Sequence, residues 1–125
     1  MKNFLVYSFL FFAIVGCKKE GSSTVTLIES GELVKLMTQK NIQLVDVRTQ
    51  AEYDKGAIKD AVLIDFWGEG FVKKVAAKFN KKEAIYIYCQ KGGRSSKASK
   101  MLLENGFQNV YDLKGGYGDW KATRK

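Results

Sequence analysis

Short runs of apolar and β-branched residues occur along the chain, each bounded by polar residues or glycine. Most of them lack the in/out alternation of a half-exposed strand, so they predict strands buried on both faces. The five runs are residues 24–27, 44–47, 61–64, 84–88 and 110–113. Residues 84–88, Ala-Ile-Tyr-Ile-Tyr, give the strongest strand signal.

Amphipathic stretches separate these runs, with apolar residues at every third or fourth position. They predict helices over residues 30–37, 69–79 and 95–105, and one closing helical turn at 119–123. Ser30 is a suitable cap for the first helix, and Gly106 is a suitable stop for the third. Strands alternating with helices predict one α/β domain over residues 24–125, with a largely parallel sheet covered on both faces.

The N-terminal segment has a different pattern. Residues 4–15 are 12 nearly continuous apolar positions, which fits the ~7–15 of a secretory signal and falls short of the ~20 of a spanning helix. The stretch ends Ile-Val-Gly-Cys17, which resembles the lipobox of bacterial lipoproteins. The resemblance implies a signal peptide at 1–16, acylation of Cys17, a tether at 17–23 and an extracytoplasmic, membrane-anchored protein. An uncleaved signal-anchor helix is the alternative.

Composition excludes several chemistries. The chain has no His, which excludes a Ser-His-Asp or Cys-His catalytic pair and any His-ligated metal. It has two Cys, too few for a four-thiolate zinc site, so we expect no metal and no cofactor. The net charge of +8 favours an anionic partner: a polyanion, a membrane surface or a small anionic substrate.

If Cys17 carries lipid, Cys89 is the only thiol left in the mature chain. An unpaired Cys outside the cytoplasm is a candidate reactive thiol, whereas a buried inert thiol is the structural alternative. Cys89 directly follows the strongest predicted strand and precedes a predicted helix, and ligands of open α/β sheets bind at such strand ends.

The segment after Cys89 favours a nucleophilic thiolate. Its two glycines allow successive N–H groups to point inward as an anion-binding nest, next to the N-terminus of a helix. Two cations in the segment add positive charge, so the thiol should ionise readily without a His. The candidate anion-binding residues are Gln90, Lys91, Gly92, Gly93, Arg94 and Ser95.

Three motifs resemble the rhodanese-like (sulfurtransferase) family. The active-loop pattern of that family is matched by Cys89, Gly92, Arg94 and Ser95. A first signature is matched by Asp46-Val47-Arg48, Glu52-Tyr53 and Gly56-Ala57-Ile58, and a C-terminal one by Gly115-Gly116 with Trp120. Two positions depart from the family pattern: Ala57 replaces the usual His, and Asp60 replaces a frequent Gly.

The resemblance implies a three-layer fold with a mainly parallel five-stranded sheet, and a sulfurtransferase. Cys89 would take a sulfane sulfur from thiosulfate or a persulfide and pass it to a thiol or cyanide. Lys91 would bind the sulfonate of the donor. Arg94 would order the loop through Asp46 or Glu52, and Arg48 is expected to pair with Glu52 away from the substrate.

Two other functions are possible from the sequence. Cysteine phosphatases have five residues between Cys and Arg, whereas four separate Cys89 from Arg94, which disfavours a phosphate-sized cradle. A non-catalytic interaction or redox-sensing module is the other alternative. We expect no nucleic-acid partner, because no aromatic-interleaved basic patch is present. We also expect a monomer. Residues 66–68, Phe-Trp-Gly, are expected in the core rather than at the rim of a substrate pocket.

Overall fold

The computed structural model describes residues 24–124 of the chain. The predicted signal peptide at 1–16 and the tether at 17–23, with the proposed acylation site Cys17, lie outside the described residues. In the described part, no helix is long and apolar enough to cross a membrane.

Strands and helices alternate along residues 24–124. The strands are β1 (Thr26–Ile28), β2 (Gln43–Asp46), β3 (Val62–Leu63), β4 (Ile85–Tyr88) and β5 (Val110–Leu113). The helices are α1 (Ser30–Gln39), α2 (Gln50–Asp54), α3 (Phe71–Lys78), α4 (Gly93–Glu104) and α5 (Gly116–Ala122).

The strands form one five-stranded sheet in the order β1-β5-β4-β2-β3, and every pair is parallel. This confirms the predicted α/β class and the five-stranded parallel sheet. Strand β4 lies at the centre, between β5 and β2, so both of its edges are hydrogen-bonded. Cys89 follows the last residue of β4 and therefore lies at the carboxyl end of the most enclosed strand.

Each face of the sheet has its own apolar core, because neighbouring strand residues point to opposite faces. On one face, α3 and α4 pack through Val75 and Leu102 against Ile87 of β4. On the other face, α1 and α5 pack through Leu33 and Trp120. The aromatic residues Tyr86, Tyr88 and Phe107 are also buried in these cores.

Several element boundaries differ from the sequence prediction. Ser30 is the first residue of α1 rather than its cap; Glu29 occupies the cap position, without a side-chain cap hydrogen bond. Helix α4 begins two residues earlier than predicted, at Gly93, and α5 begins at Gly116 instead of near residue 119. The earlier start of α4 places Arg94 and Ser95 in its first turn.

Helix α2 was missed in the sequence. It has only five residues and no buried apolar stripe, so hydrophobic periodicity cannot reveal it. The signal that could have found it is the capping box: the Thr49 hydroxyl accepts a hydrogen bond from the Glu52 N–H, and the Glu52 carboxylate accepts one from the Thr49 N–H. This box fixes Glu52 at the start of α2.

Candidate active site

The Cys89 sulfur is surrounded by the loop that joins β4 to α4. The Gly92 N–H donates to Sγ over 3.0 Å, and the thiol donates to the Ser95 hydroxyl over 3.3 Å. Gly92 adopts φ +124°, a conformation that side-chain-bearing residues rarely adopt, and this turn aims its N–H at the sulfur. The predicted convergence of the loop on Cys89 is therefore present.

Burial and hydrogen bonding act in opposite directions on the pKa of the Cys89 thiol. Burial raises it, because the charged form loses water. Hydrogen bonds from the Ser95 hydroxyl, and from the N–H groups of Ser95, Gly92 and Lys91, stabilise the thiolate and lower it. The net effect places the pKa below its ordinary value, as expected for a nucleophilic thiol.

Cys89 is also part of the apolar core on the α3–α4 face, and only 1% of the residue is exposed. Its carbon atoms therefore pack among hydrocarbon, whereas its sulfur is hydrogen-bonded by the loop. A buried inert thiol would have no such donors. Within residues 24–124 it is a free thiol.

Arg94 connects the Cys89 loop to helix α2. Its guanidinium donates two hydrogen bonds to the Glu52 carboxylate, at 2.7 and 2.9 Å, so the first turn of α4 is tied to α2. The ion pair lowers the pKa of Glu52 from 4.5 to about 2. Of the two carboxylates predicted as partners of Arg94, the structure selects Glu52 and not Asp46.

The Trp67 ring packs against the Arg94 side of the Arg94–Glu52 ion pair. The Arg94 guanidinium lies 4.9 Å from the centre of its ring, a cation–π distance. Trp67 is 69% exposed, so the prediction of a core position is wrong for Trp67, whereas its neighbour Phe66 packs against the core of the α3–α4 face. The signal that could have placed it is its neighbourhood: it follows β3 at the same edge of the sheet as the Cys89 loop.

Arg48 forms a second ion pair, on the other face of the sheet. Its guanidinium donates to both carboxylate oxygens of Asp46, at 3.0 Å from Nε and 2.7 Å from Nη2. It also donates to the Gln90 side-chain carbonyl over 3.1 Å and to the Gly56 carbonyl over 2.8 Å. The predicted pairing of Arg48 with Glu52 is therefore wrong: its partner is Asp46, and both side chains are buried.

Gln90 consequently uses its side chain to hold the loop to this buried pair. Its backbone carbonyl accepts from the Gly118 N–H over 3.0 Å, and the Cys89 carbonyl accepts from the Tyr117 N–H over 2.8 Å. The first turn of helix α5 therefore holds the loop by two backbone hydrogen bonds. A Cβ on Gly116 would lie 2.6 Å from the Cys89 carbonyl oxygen, so this contact requires glycine.

The remaining predicted loop residues, Lys91 and Gly93, are exposed. Lys91 contributes its N–H to the Cys89 sulfur, while its side chain is on the solvent side. The lysines at positions 73, 74, 78, 81, 82, 97 and 100, which contribute to the net positive charge, are exposed as well. Within residues 24–124, no group of three or more Cys, Asp or Glu side chains could hold a metal ion.

Comparison with known proteins places this loop in a known family. The family model of the rhodanese-like domain matches residues 29–123. The chain belongs to the rhodanese-like family. It is 32% identical over 98 residues to thiosulfate sulfurtransferase GlpE of Coxiella burnetii, covering 78% of this chain and 86% of that protein.

Further relatives agree with this assignment. The chloroplastic thiosulfate sulfurtransferase 16 of Arabidopsis thaliana is 35% identical over 85 residues, covering 61% of this chain and 71% of that protein. The crystal structure of a rhodanese-like domain protein from Staphylococcus aureus superposes with a TM-score of 0.67 at 36% identity, covering 77% of this chain and 91% of that one. The rhodanese-like fold and the relationship to sulfurtransferases are therefore established.

Proposed function

We propose that this rhodanese-like protein is a sulfurtransferase that carries a sulfane sulfur on Cys89. The observation that carries the proposal is the Cys89 sulfur itself, which receives the Gly92 N–H over 3.0 Å at the carboxyl end of β4 and has a lowered pKa. The names of the sulfurtransferase relatives support the same reaction.

The first step loads the cysteine. The Cys89 thiolate attacks the outer sulfur of thiosulfate, a new S–S bond forms, and the bond between the two donor sulfurs breaks. Sulfite leaves with the electron pair of that bond, and Cys89 becomes a persulfide. No external oxidant is needed, because sulfur transfer conserves electrons between donor and enzyme.

The second step removes the outer sulfur from the Cys89 persulfide. A thiolate or cyanide attacks the outer sulfur of the persulfide, and the bond between that sulfur and Cys89 breaks. The products are an acceptor persulfide or thiocyanate and the regenerated Cys89 thiolate. N–H groups of the loop that now stabilise Sγ would stabilise the negative charge on the outer sulfur, because they are fixed before the reaction begins.

Lys91 supplies the proposed recognition of an anionic donor. Its side chain is exposed beside the loop, where a cation attracts the sulfonate end of thiosulfate. Gln90 has a different role, because its side-chain carbonyl is held by Arg48. It positions the loop and contributes no side chain to the donor.

The test uses the full chain in detergent with thiosulfate and cyanide. We expect thiocyanate to form, and the tryptic peptide 83–91, which contains Cys89, to gain the mass of one sulfur atom after thiosulfate alone. Cys89→Ser should abolish both signals. Turnover by Cys89→Ser would refute the proposal.

A non-catalytic module would give another result. A protein that takes up no sulfur from thiosulfate or from a small-molecule persulfide, yet folds normally, would be a binding or redox-sensing domain. The pKa-lowering hydrogen bonds at Cys89 favour the enzyme over a binding domain, which has no need of an activated thiol. A redox sensor also uses an activated thiol, so the uptake of sulfur by Cys89 is the result that separates it from the enzyme.

We also propose that the protein is anchored by lipid on Cys17 at the outer side of a bacterial membrane. The support is the sequence pattern alone: the short apolar stretch and the small residue before Cys17. Metabolic labelling with a fatty acid, followed by fractionation, tests this. Labelling that survives in Cys17→Ser would contradict it.

A further inference from the structure

The parallel sheet has two chemically different ends. Cys89 lies at the carboxyl end, where the strands stop, because it directly follows β4. We call the opposite end, where all five strands start, the amino end. The first strand starts at Thr26, so the predicted tether 17–23 joins the domain at the amino end. A tether of seven residues spans at most about 25 Å, so it would keep this end of the domain close to a membrane.

Exposed cations are concentrated at the amino end. A helix that connects two parallel strands ends there, because it must return the chain to the start of the next strand. The exposed basic residues that end a helix or precede a strand are Lys40, Lys59, Lys78, Lys81, Lys82 and Arg124. The acidic residues at such positions within residues 24–124 are Asp60, Glu83 and Glu104. In the same described range, none of these cations forms an ion pair with a carboxylate, so their charge is available to a partner.

The carboxyl end has a different charge pattern. Acidic residues follow the strands or occupy the first helical turns: Glu29, Glu32, Glu52, Asp65, Glu69 and Asp119. They offset the lysines and arginines of that end, and two of them, Glu29 and Glu52, are in ion pairs. The excess positive charge of the domain therefore lies toward the amino end.

A pocket of about 710 Å³ opens at the amino end, between α1 and α5. This volume is within the range of ligand sites. Its wall is apolar and is formed by Val34, Met37, Ile42, Leu44 and Trp120. Its exposed charged residues are Lys40, Lys59, Asp60 and Arg124. The Arg124 guanidinium lies 3.5 Å from the centre of the Trp120 ring, which places a cation directly against the apolar wall.

We propose that the amino end of the sheet docks onto an anionic lipid bilayer and that one anionic phospholipid enters this pocket. Its phosphate would bind Lys40, Lys59 and Arg124, and its hydrocarbon would pack on the apolar wall beside Trp120. A small soluble anion has no hydrocarbon to place there, so the lining selects the lipid. The inference rests on the proposed anchoring at Cys17, which brings the domain to a membrane. In the docked protein Cys89 faces away from the bilayer, toward water-soluble donors and acceptors.

The two tryptophans of the chain report this orientation, because Trp120 lines the pocket and Trp67 follows β3 at the carboxyl end. Full-length Trp67→Phe protein is reconstituted through its apolar residues 4–15 into vesicles of phosphatidylcholine, with or without phosphatidylglycerol. Both kinds of vesicle contain a trace of lipid with a nitroxide on its head group, which quenches nearby tryptophan. We expect Trp120 to be quenched at least about threefold more strongly in the anionic vesicles. High salt should remove the difference.

The parent protein tests which end of the domain faces the lipid. It contains both tryptophans, and Trp67 should stay on the side away from the bilayer. The parent should therefore lose a smaller fraction of its emission than Trp67→Phe in the anionic vesicles. An equal or larger loss in the parent would overturn the orientation.

Charge reversal identifies the surface that docks. Lys40→Glu with Lys59→Glu, made in the Trp67→Phe protein, should shift the protein at least about tenfold toward the undocked state and remove most of the quenching. The matched control is Lys73→Glu with Lys97→Glu, which changes the net charge equally near the starts of α3 and α4. It should keep the quenching. All four lysines are exposed, and thermal unfolding followed by circular dichroism verifies that both variants fold.

Equal quenching of Trp120 in neutral and anionic vesicles would overturn the inference and leave the pocket to a soluble ligand. An equal loss of quenching in both double variants would also overturn it, because net charge alone would then explain the attraction. Reconstitution does not depend on acylation, so docking and anchoring fail separately. Labelled Cys17 with unquenched Trp120 refutes the docking alone, and quenched Trp120 without labelling refutes the lipid anchor alone.

Discussion

The two arginine–carboxylate pairs beside the Cys89 loop have the same chemistry and opposite surroundings. The side chains of Arg48 and Asp46 are 1% and 0% exposed, whereas those of Arg94 and Glu52 are 18% and 30% exposed. Arg48 also contacts Gln90, Gly56 and the ring of Tyr117 at 4.3 Å. The buried pair lies inside the fold, while the partly exposed pair ties the first turn of α4 to α2.

This difference shows how one loop can be both fixed and accessible. Loss of a buried partner leaves an uncompensated charge, whereas a partly exposed pair contributes less to the free energy of unfolding because water screens it. The Arg48–Asp46 pair should therefore determine whether the Cys89 loop folds. The Arg94–Glu52 pair should determine how fast Cys89 reacts.

The largest effect is expected for Arg48→Ala. Asp46 would stay buried without its cation, so the free energy of unfolding should fall by about 3–5 kcal/mol. Urea denaturation followed by circular dichroism measures this. A loss under about 1 kcal/mol would show that the pair is not essential to the fold.

The same substitution in the partly exposed pair, Arg94→Ala, should cost about 1–2 kcal/mol of stability, less than Arg48→Ala, because water still reaches both side chains. It releases the first turn of α4 from α2, so the geometry of the loop relaxes and kcat/KM for sulfur transfer should fall about tenfold. Thiocyanate kinetics and urea denaturation on the same sample separate the two effects. Unchanged kinetics would remove Arg94 from the site.

Acid should weaken the Arg94–Glu52 pair over a defined pH range. The pKa of Glu52 is lowered from 4.5 to about 2, so its contribution to stability is present above pH 4.5 and is lost as the pH falls toward 2. The difference in unfolding temperature between the parent and Glu52→Gln should accordingly shrink across this range. A difference that is constant with pH would contradict the ion pair as its source.

The smallest effect is expected for Lys91→Ala. The exposed side chain contributes only attraction for the donor, so KM for thiosulfate should rise about threefold with kcat unchanged, and the difference should vanish at high salt. The matched control is Lys100→Ala, which removes an exposed lysine within α4, away from the Cys89 loop. Equal KM values for all three proteins would remove Lys91 from donor recognition.

The fold and the position of the loop could be predicted from sequence because they depend on local patterns. Unbroken apolar runs mark buried strands wherever they occur, and Cys89 directly follows the clearest one. Family motifs then add the shape of the loop. These features need no knowledge of what lies across the sheet.

Side-chain partners could not be predicted in the same way. Arg48 and Glu52 are four residues apart, which suggests a helical pair, but Arg48 follows β2 and lies outside α2. Glu52 instead reaches Arg94, 42 residues away along the chain. Asp112 lies within the predicted strand 110–113, and only the register with Ile87 shows which face of the sheet it occupies.

The contacts of helix α5 set an order on the maturation of the protein. The peptide groups of Cys89 and Gln90 are held by N–H groups of Tyr117 and Gly118, and the first strand hydrogen-bonds to the last one, β5. Helix α5 and strand β5 are translated after the Cys89 loop. A nascent chain that has not yet reached residues 117 and 118 lacks these two hydrogen bonds, so the surroundings of the Cys89 thiol are completed only after α5 has been made.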